Sequence, residues 1–164
     1  MKKITFILFA LIAGTTFAQN AATSETATVS ALIVSPIGVS TTDNIDFGKI
    51  VKTAAGGIVE IPTDGGSRII PEAMDISSSS SSATFTVTAE SETTYSVSIP
   101  QLTLENSADN AITMTVDFTH SLGEENESTG NTEESFVVGG KLNVGPNQAV
   151  GTYTGTAIVT VSYE

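Results

Sequence analysis

The sequence predicts an all-β protein, an antiparallel β-sandwich of eight or nine strands following a cleaved leader. Three observations carry this. Apolar and hydroxyl residues alternate strictly in several segments, the pattern of strands with one buried and one wet face. Serine and threonine supply 41 of the 146 residues from Gln19 onward, and these residues with the abundant Val and Ile suit a pleated surface better than a helix interior. No stretch after the leader repeats its apolar residues with a helical period.

The leader comes first. Lys2 and Lys3 precede an apolar run from Ile4 to Ala13, and small residues follow up to Ala18. A basic start, a short apolar stretch and a small-residue end make a secretory signal peptide, with Thr16 and Ala18 placing the cut before Gln19. A membrane-spanning helix needs about 20 apolar residues, more than this run has. Residues 1–18 are therefore read as signal peptide and 19–164 as one sandwich domain. The chain has no cysteine, which excludes a bacterial lipid anchor, disulfides, thiol nucleophiles and thiolate metal sites.

Strands follow in order. Ala27–Val34 alternates, with Ala27, Val29, Ala31 and Ile33 opposite Thr28 and Ser30. It is a weaker candidate, as are Ile45–Val51, Ile58–Ile61 and Ser67–Ile70. In the segment from Ala83, residues Phe85, Val87 and Ala89 oppose Thr84, Thr86 and Thr88. Tyr95, Val97 and Ile99 then oppose Ser96 and Ser98, and Ile112, Met114, Val116 and Phe118 oppose Thr113, Thr115, Asp117 and Thr119. Ser135–Val144 is a further candidate. The longest alternation, Gly151–Glu164, puts Tyr153, Ala157, Val159, Val161 and Tyr163 on one face. Asp43-Asn44, Gly56-Gly57, Asp64-Gly65-Gly66, Gly139-Gly140 and Gly145-Pro146-Asn147 read as the turns between them. Six serines at Ser77–Ser82 read as a flexible surface loop, and Gly123–Glu134, with five glutamates, as a solvated loop at a hairpin end.

Charge and residue inventory narrow the function. After the leader only Lys49, Lys52, Arg68 and Lys141 are basic against eighteen acidic residues, a formal charge of −14. Such a surface repels phosphate backbones and anionic lipids, so nucleic acid and peripheral membrane are not expected partners. His120 is the one histidine, it continues the inward face of Ile112–Phe118, and a structural role is expected for it rather than a place in a catalytic triad. No phosphate-cradling glycine motif appears, and neither an enzyme activity nor a cofactor is expected. Calcium is the best metal candidate: Glu124, Glu125 and Glu127 crowd one segment with Asn126, and calcium takes six to eight oxygens. The spacing is not that of an EF-hand, so a plain acidic loop is the expectation, with no metal site. Asn126-Glu127-Ser128 also has the form of a glycosylation acceptor.

Four stretches resemble the bacterial family called domain of unknown function 4402: IDFGKIV, FTVTAESETTYSVSIP, MTVDFTHS and LNVGPNQAVGTYTGTAIVTVSYE, in order over nearly the whole chain after the leader. The closing stretch is also similar to the end of spore-coat-U-type secreted pilin subunits, although the cysteines usual there are missing. The first resemblance implies an exported, immunoglobulin-like sandwich of unknown function and the second a subunit of a surface fibre. In either case Phe47 is expected to anchor a core strand and Gly48 to permit a bulge or close packing. The expectation is a secreted structural or adhesive protein of the periplasm, cell surface or extracellular space. Like subunits or other surface proteins are its expected partners, joined by edge-strand pairing, with Ala27–Val34 either a donor to a neighbour or a first strand paired within its own domain. The alternative is a module that binds glycan or a surface protein through Asp75–Ser82 and Gly123–Glu134.

Overall fold

The computed structural model describes residues 23–122, 126–127 and 133–164. The leader and its cleavage site lie outside the described residues. The chain divides into two units, Met1–Leu32 and Ile33–Glu164. In the first, Thr23–Leu32 carries no strand and is exposed throughout.

The second unit is a sandwich of ten strands. They are β1 (Gly38–Thr41), β2 (Gly57–Ile61), β3 (Ala83–Thr88), β4 (Thr94–Ser98), β5 (Leu102–Asn106), β6 (Asp109–His120), β7 (Asn126–Glu127), β8 (Glu133–Val144), β9 (Tyr153–Thr154) and β10 (Thr160–Tyr163). The described residues hold no α-helix, only a 3-10 turn at Glu72–Met74. The large sheet has the order β1-β3-β8-β6-β5-β9, with β2 also on β8; the small sheet is β10-β4-β7, and every pairing is antiparallel. The count exceeds eight or nine because β7 and β9 are two-residue pairings.

β8 is the spine, and it departs from the sequence reading. Gly139-Gly140 is not a turn but the buried middle of this twelve-residue strand. β2 and β3 share one edge of β8, Ile61 facing Gly140 and Ala83 facing Val138, and the chain leaving β2 passes directly over Gly139. Pro62 follows and cannot extend the ladder. A Cβ on Gly139 would run into the Ile61 carbonyl, so the two glycines serve close backbone approach within a strand.

The alternating segments bury the faces expected of them. Val87 and Ala89 on one side and Tyr95 on the other enclose Phe136 and Val138, with Val97, Ile99, Val159, Val161 and Tyr163 packed around them. A second cluster gathers Val59, Met74, Val116, Leu142 and Val144, against which Phe47, Ile50, Leu104 and Met114 pack. The C-terminal segment keeps its faces, Tyr153, Ala157, Val159, Val161 and Tyr163 being half-buried between exposed Thr152, Thr154, Thr156, Thr160 and Ser162. It is not one strand, however: it pairs with β5 in the large sheet at Tyr153–Thr154, then crosses to pair with β4 in the small one.

Tyr95 ties the layers together. Its ring is fully buried and its hydroxyl donates to Glu134 Oε2 at 2.8 Å, so Glu134 belongs to β8 rather than to the loop predicted for it. Burial pushes the phenol well above its ordinary value, and the bond to Glu134 adds to the shift. A raised folded-state value means that the unfolded chain loses this proton first. Stability is therefore full below about pH 10 and falls as pH rises past that ordinary phenol value. Urea unfolding between pH 8 and 11 is expected to show this fall, and Tyr95→Phe, which has no proton to lose, is expected to flatten it. An identical fall in the variant would assign the alkaline loss to other groups.

Candidate functional site

The inner face of the large sheet is only partly covered. Along β3, β5 and β6 the inward residues Phe85, Leu102, Leu104, Met114 and Phe118 are half-buried, whereas Val87, Val116, Phe136 and Val138 on the same sheet are buried. These half-covered side chains floor an open groove of about 920 Å³. One wall is the segment 43–52 and the other 148–157.

The first wall meets residues 74–81 at isolated points. Asp46 exchanges both backbone bonds with Ser81 at 2.9 Å, and the Val51 N–H donates to the Met74 carbonyl. Ile45–Val51 therefore forms isolated bridges at Asp46 and Ile50 instead of the continuous strand expected. The serine run is its partner: Ser81 supplies the bridge, and Ser78 Oγ accepts the Lys49 N–H at 2.7 Å. That pairing replaces the free loop read from composition. Arg68 holds the segment from behind, donating to the Phe47 carbonyl at 2.6 Å and bridging Asp75 at 2.8 Å with its side chain 6% exposed. Ser67–Ile70 is otherwise no strand; only Ile69 bridges, to Glu60. Gly48 adopts φ +73°, where a Cβ would sit 2.7 Å from Ser78 Oγ, the close packing expected of it; Phe47 packs half-buried on the second cluster but lies in no strand, so it does not anchor the core strand expected.

The second wall is fixed at its root and bare beyond it. Buried Asn106 donates from Nδ2 to the Val150 carbonyl at 3.3 Å and accepts the Ala108 N–H at 2.9 Å. Tyr153 Oη donates to the Ala149 carbonyl at 2.8 Å and accepts from Gln148 Nε2. After Thr154 this support stops. No hydrogen bond among the described residues engages the backbone of Gly155–Val159, and Ile158 is 64% exposed.

His120 stands apart from the groove. It ends β6 with its ring edge-on to Phe136 at 6.1 Å, and its buried Nδ1 has no partner among the described residues. Glu124 and Glu125 lie outside the described residues, and of Glu127 only the backbone is described, in β7. Among the described residues no group of three His, Asp or Glu side chains is placed to hold a metal ion. No helix among them is long and apolar enough to cross a membrane.

The sequence reading missed β5, whose Leu102 and Leu104 form part of the floor. Its LTLEN alternation ahead of the Ser107-Ala108 turn was the available signal. Ala27–Val34 alternates as read, yet it is not a strand here, and Val29 and Ile33 are 92% and 93% exposed.

Fold and groove together define an antiparallel β-sandwich whose second layer is incomplete among the described residues. The chain belongs to the family described as Domain of unknown function (DUF4402), whose model matches residues 37–163. No curated protein and no solved structure matches the chain. The family match starts at Ile37, so the exposed Ala27–Val34 segment lies upstream of it.

Proposed function

We propose that the protein is an exported structural or adhesive subunit of the cell surface that assembles with like subunits by edge-strand pairing. The observation that carries this reading is Ala27–Val34. Large alternating apolar side chains normally face a core, yet here Val29, Leu32 and Ile33 are all more than four-fifths exposed. An uncovered apolar run with free backbone groups pairs readily with another chain's sheet edge. The leader read at residues 1–18 supports export, and the acidic surface supports solubility outside the cell.

The test is the size of the exported protein. Size-exclusion chromatography with light scattering is expected to give species larger than one chain, growing with concentration. Val29→Asp with Ile33→Asp is expected to return it to one chain. Because both positions are exposed, the pair should leave stability within roughly 1 kcal/mol of the parent. A parent protein that stays a single chain at every concentration would contradict the reading and favour a module that acts alone.

A further inference from the structure

We propose that the groove between Asp46–Ile50 and Gly155–Val159 is an acceptor site, and that its occupant is the Ala27–Val34 segment of a second copy of this chain. The inference rests on the assembly reading and adds the place and the residues.

The groove has what a missing strand leaves behind. Both walls leave backbone groups unpaired among the described residues. Asp46 directs its backbone bonds to Ser81, and the N–H groups of its neighbours Ile45 and Phe47 have no partner among the described residues. Gly155–Val159 has none either. Beneath lies an apolar floor of Phe85, Leu104, Met114 and Phe118, half-covered where a closed sandwich would bury it. A strand laid between the walls supplies backbone partners to both and side chains to the floor.

The segment has what the groove lacks. Its eight residues span about 26 Å as a strand at ~3.3 Å per residue. Ala27, Val29, Ala31 and Ile33 form one apolar face, and Leu32 and Val34 add apolar surface at the far end of the other. Charge favours it as well. The run from Thr26 to Thr42 contains no charged residue in a chain of −14 after the leader, so it can enter another acidic copy without like-charge repulsion. The first wall carries Lys49 and Lys52 beside Asp43 and Asp46 and so has no net charge to oppose it, and Glu25 is the one charge between Gln19 and Thr42.

The chain is anchored just downstream of the segment. Ser35 donates its N–H and Oγ to Glu90 Oε2 at 3.1 and 2.7 Å, and Tyr163 Oη donates to the Ser35 carbonyl at 2.8 Å. Upstream of this anchor, Thr23–Val34 carries no strand and is exposed.

The absence of native cysteine makes the test clean. Full-length exported proteins carrying Val29→Cys and Leu104→Cys singly are mixed and treated with a short bis-maleimide. Ser98→Cys, on an exposed position of β4, replaces Leu104→Cys as control, and circular dichroism verifies that each variant folds. The expected result is a shift from one-chain to two-chain mass, with linked peptides joining positions 29 and 104, and loss of that link with the control. Assembly of all the proteins without the 29–104 link would overturn the groove as acceptor while leaving the assembly reading intact. A link found only within single chains, in a protein carrying both substitutions, would assign the groove to the molecule's own segment and overturn the second copy as occupant. Absence of both link and assembly would overturn the two proposals together.

Discussion

Phe136→Ala is expected to remove most of the protein's stability. Phe136 is 1% exposed on the central strand β8, stacks on Phe85 with ring centroids 5.7 Å apart, and meets the edge of His120. It lies between the two sheets with Tyr95 and Val138, where the neighbours are held by strands on both sides and cannot collapse into the space it leaves. Truncating a buried phenylalanine costs about 3–5 kcal/mol, against roughly 5–15 kcal/mol for a whole domain. With no disulfide to restrain the unfolded chain, the loss should appear in full as a lower urea midpoint at unchanged slope. A change below about 1 kcal/mol would mean that the two sheets are not packed through this residue.

The second large effect is expected at Gly139. A methyl group there meets the Ile61 carbonyl oxygen, and the next atoms are Ile61 C at 3.1 Å and Pro62 C at 3.3 Å, all of them backbone. Backbone held in a sheet cannot swing aside as a flexible side chain does. Gly139→Ala should therefore force β2 off the edge of β8 and cost about 3 kcal/mol, the upper end for overpacking. Gly38→Ala is the matched control: on edge strand β1 its added methyl has nothing within 4 Å, and a change within about 0.5 kcal/mol is expected. Equal effects in urea denaturation would contradict the shared edge of β8.

Alternation made β3, β4 and β6 legible, because each has one face in the core and one in water, and a two-residue period records that difference directly. β8 was harder. Buried glycines inside a strand and glycines in a turn read alike, and only the passage of Ile61-Pro62 over Gly139 tells them apart. The pairing of the serine run with Ile45–Val51 was hidden for a similar reason, since composition reports solvation and not partners. The break of the C-terminal segment between two sheets was equally invisible, because its faces stay in phase across the crossing. The groove could not be read at all. It depends on which strands fail to meet, a property of long-range pairing, although Leu104, Met114 and Phe118 on its floor follow the expected inward pattern. Ala27–Val34 is the instructive case. Its pattern states that one face is to be covered, and says nothing about which molecule covers it.

Amide hydrogen exchange across a concentration series tests the assembly account most directly, since it reads the unpaired backbone groups themselves. In dilute protein the amides of Thr28–Ile33 and Gly155–Val159 are expected to exchange fast, while those of β8 stay protected. On concentration, protection should rise in the two free segments together, because each becomes the other's hydrogen-bond partner. Fast exchange in both at concentrations where the protein has assembled would contradict the account, as would protection of Thr28–Ile33 alone.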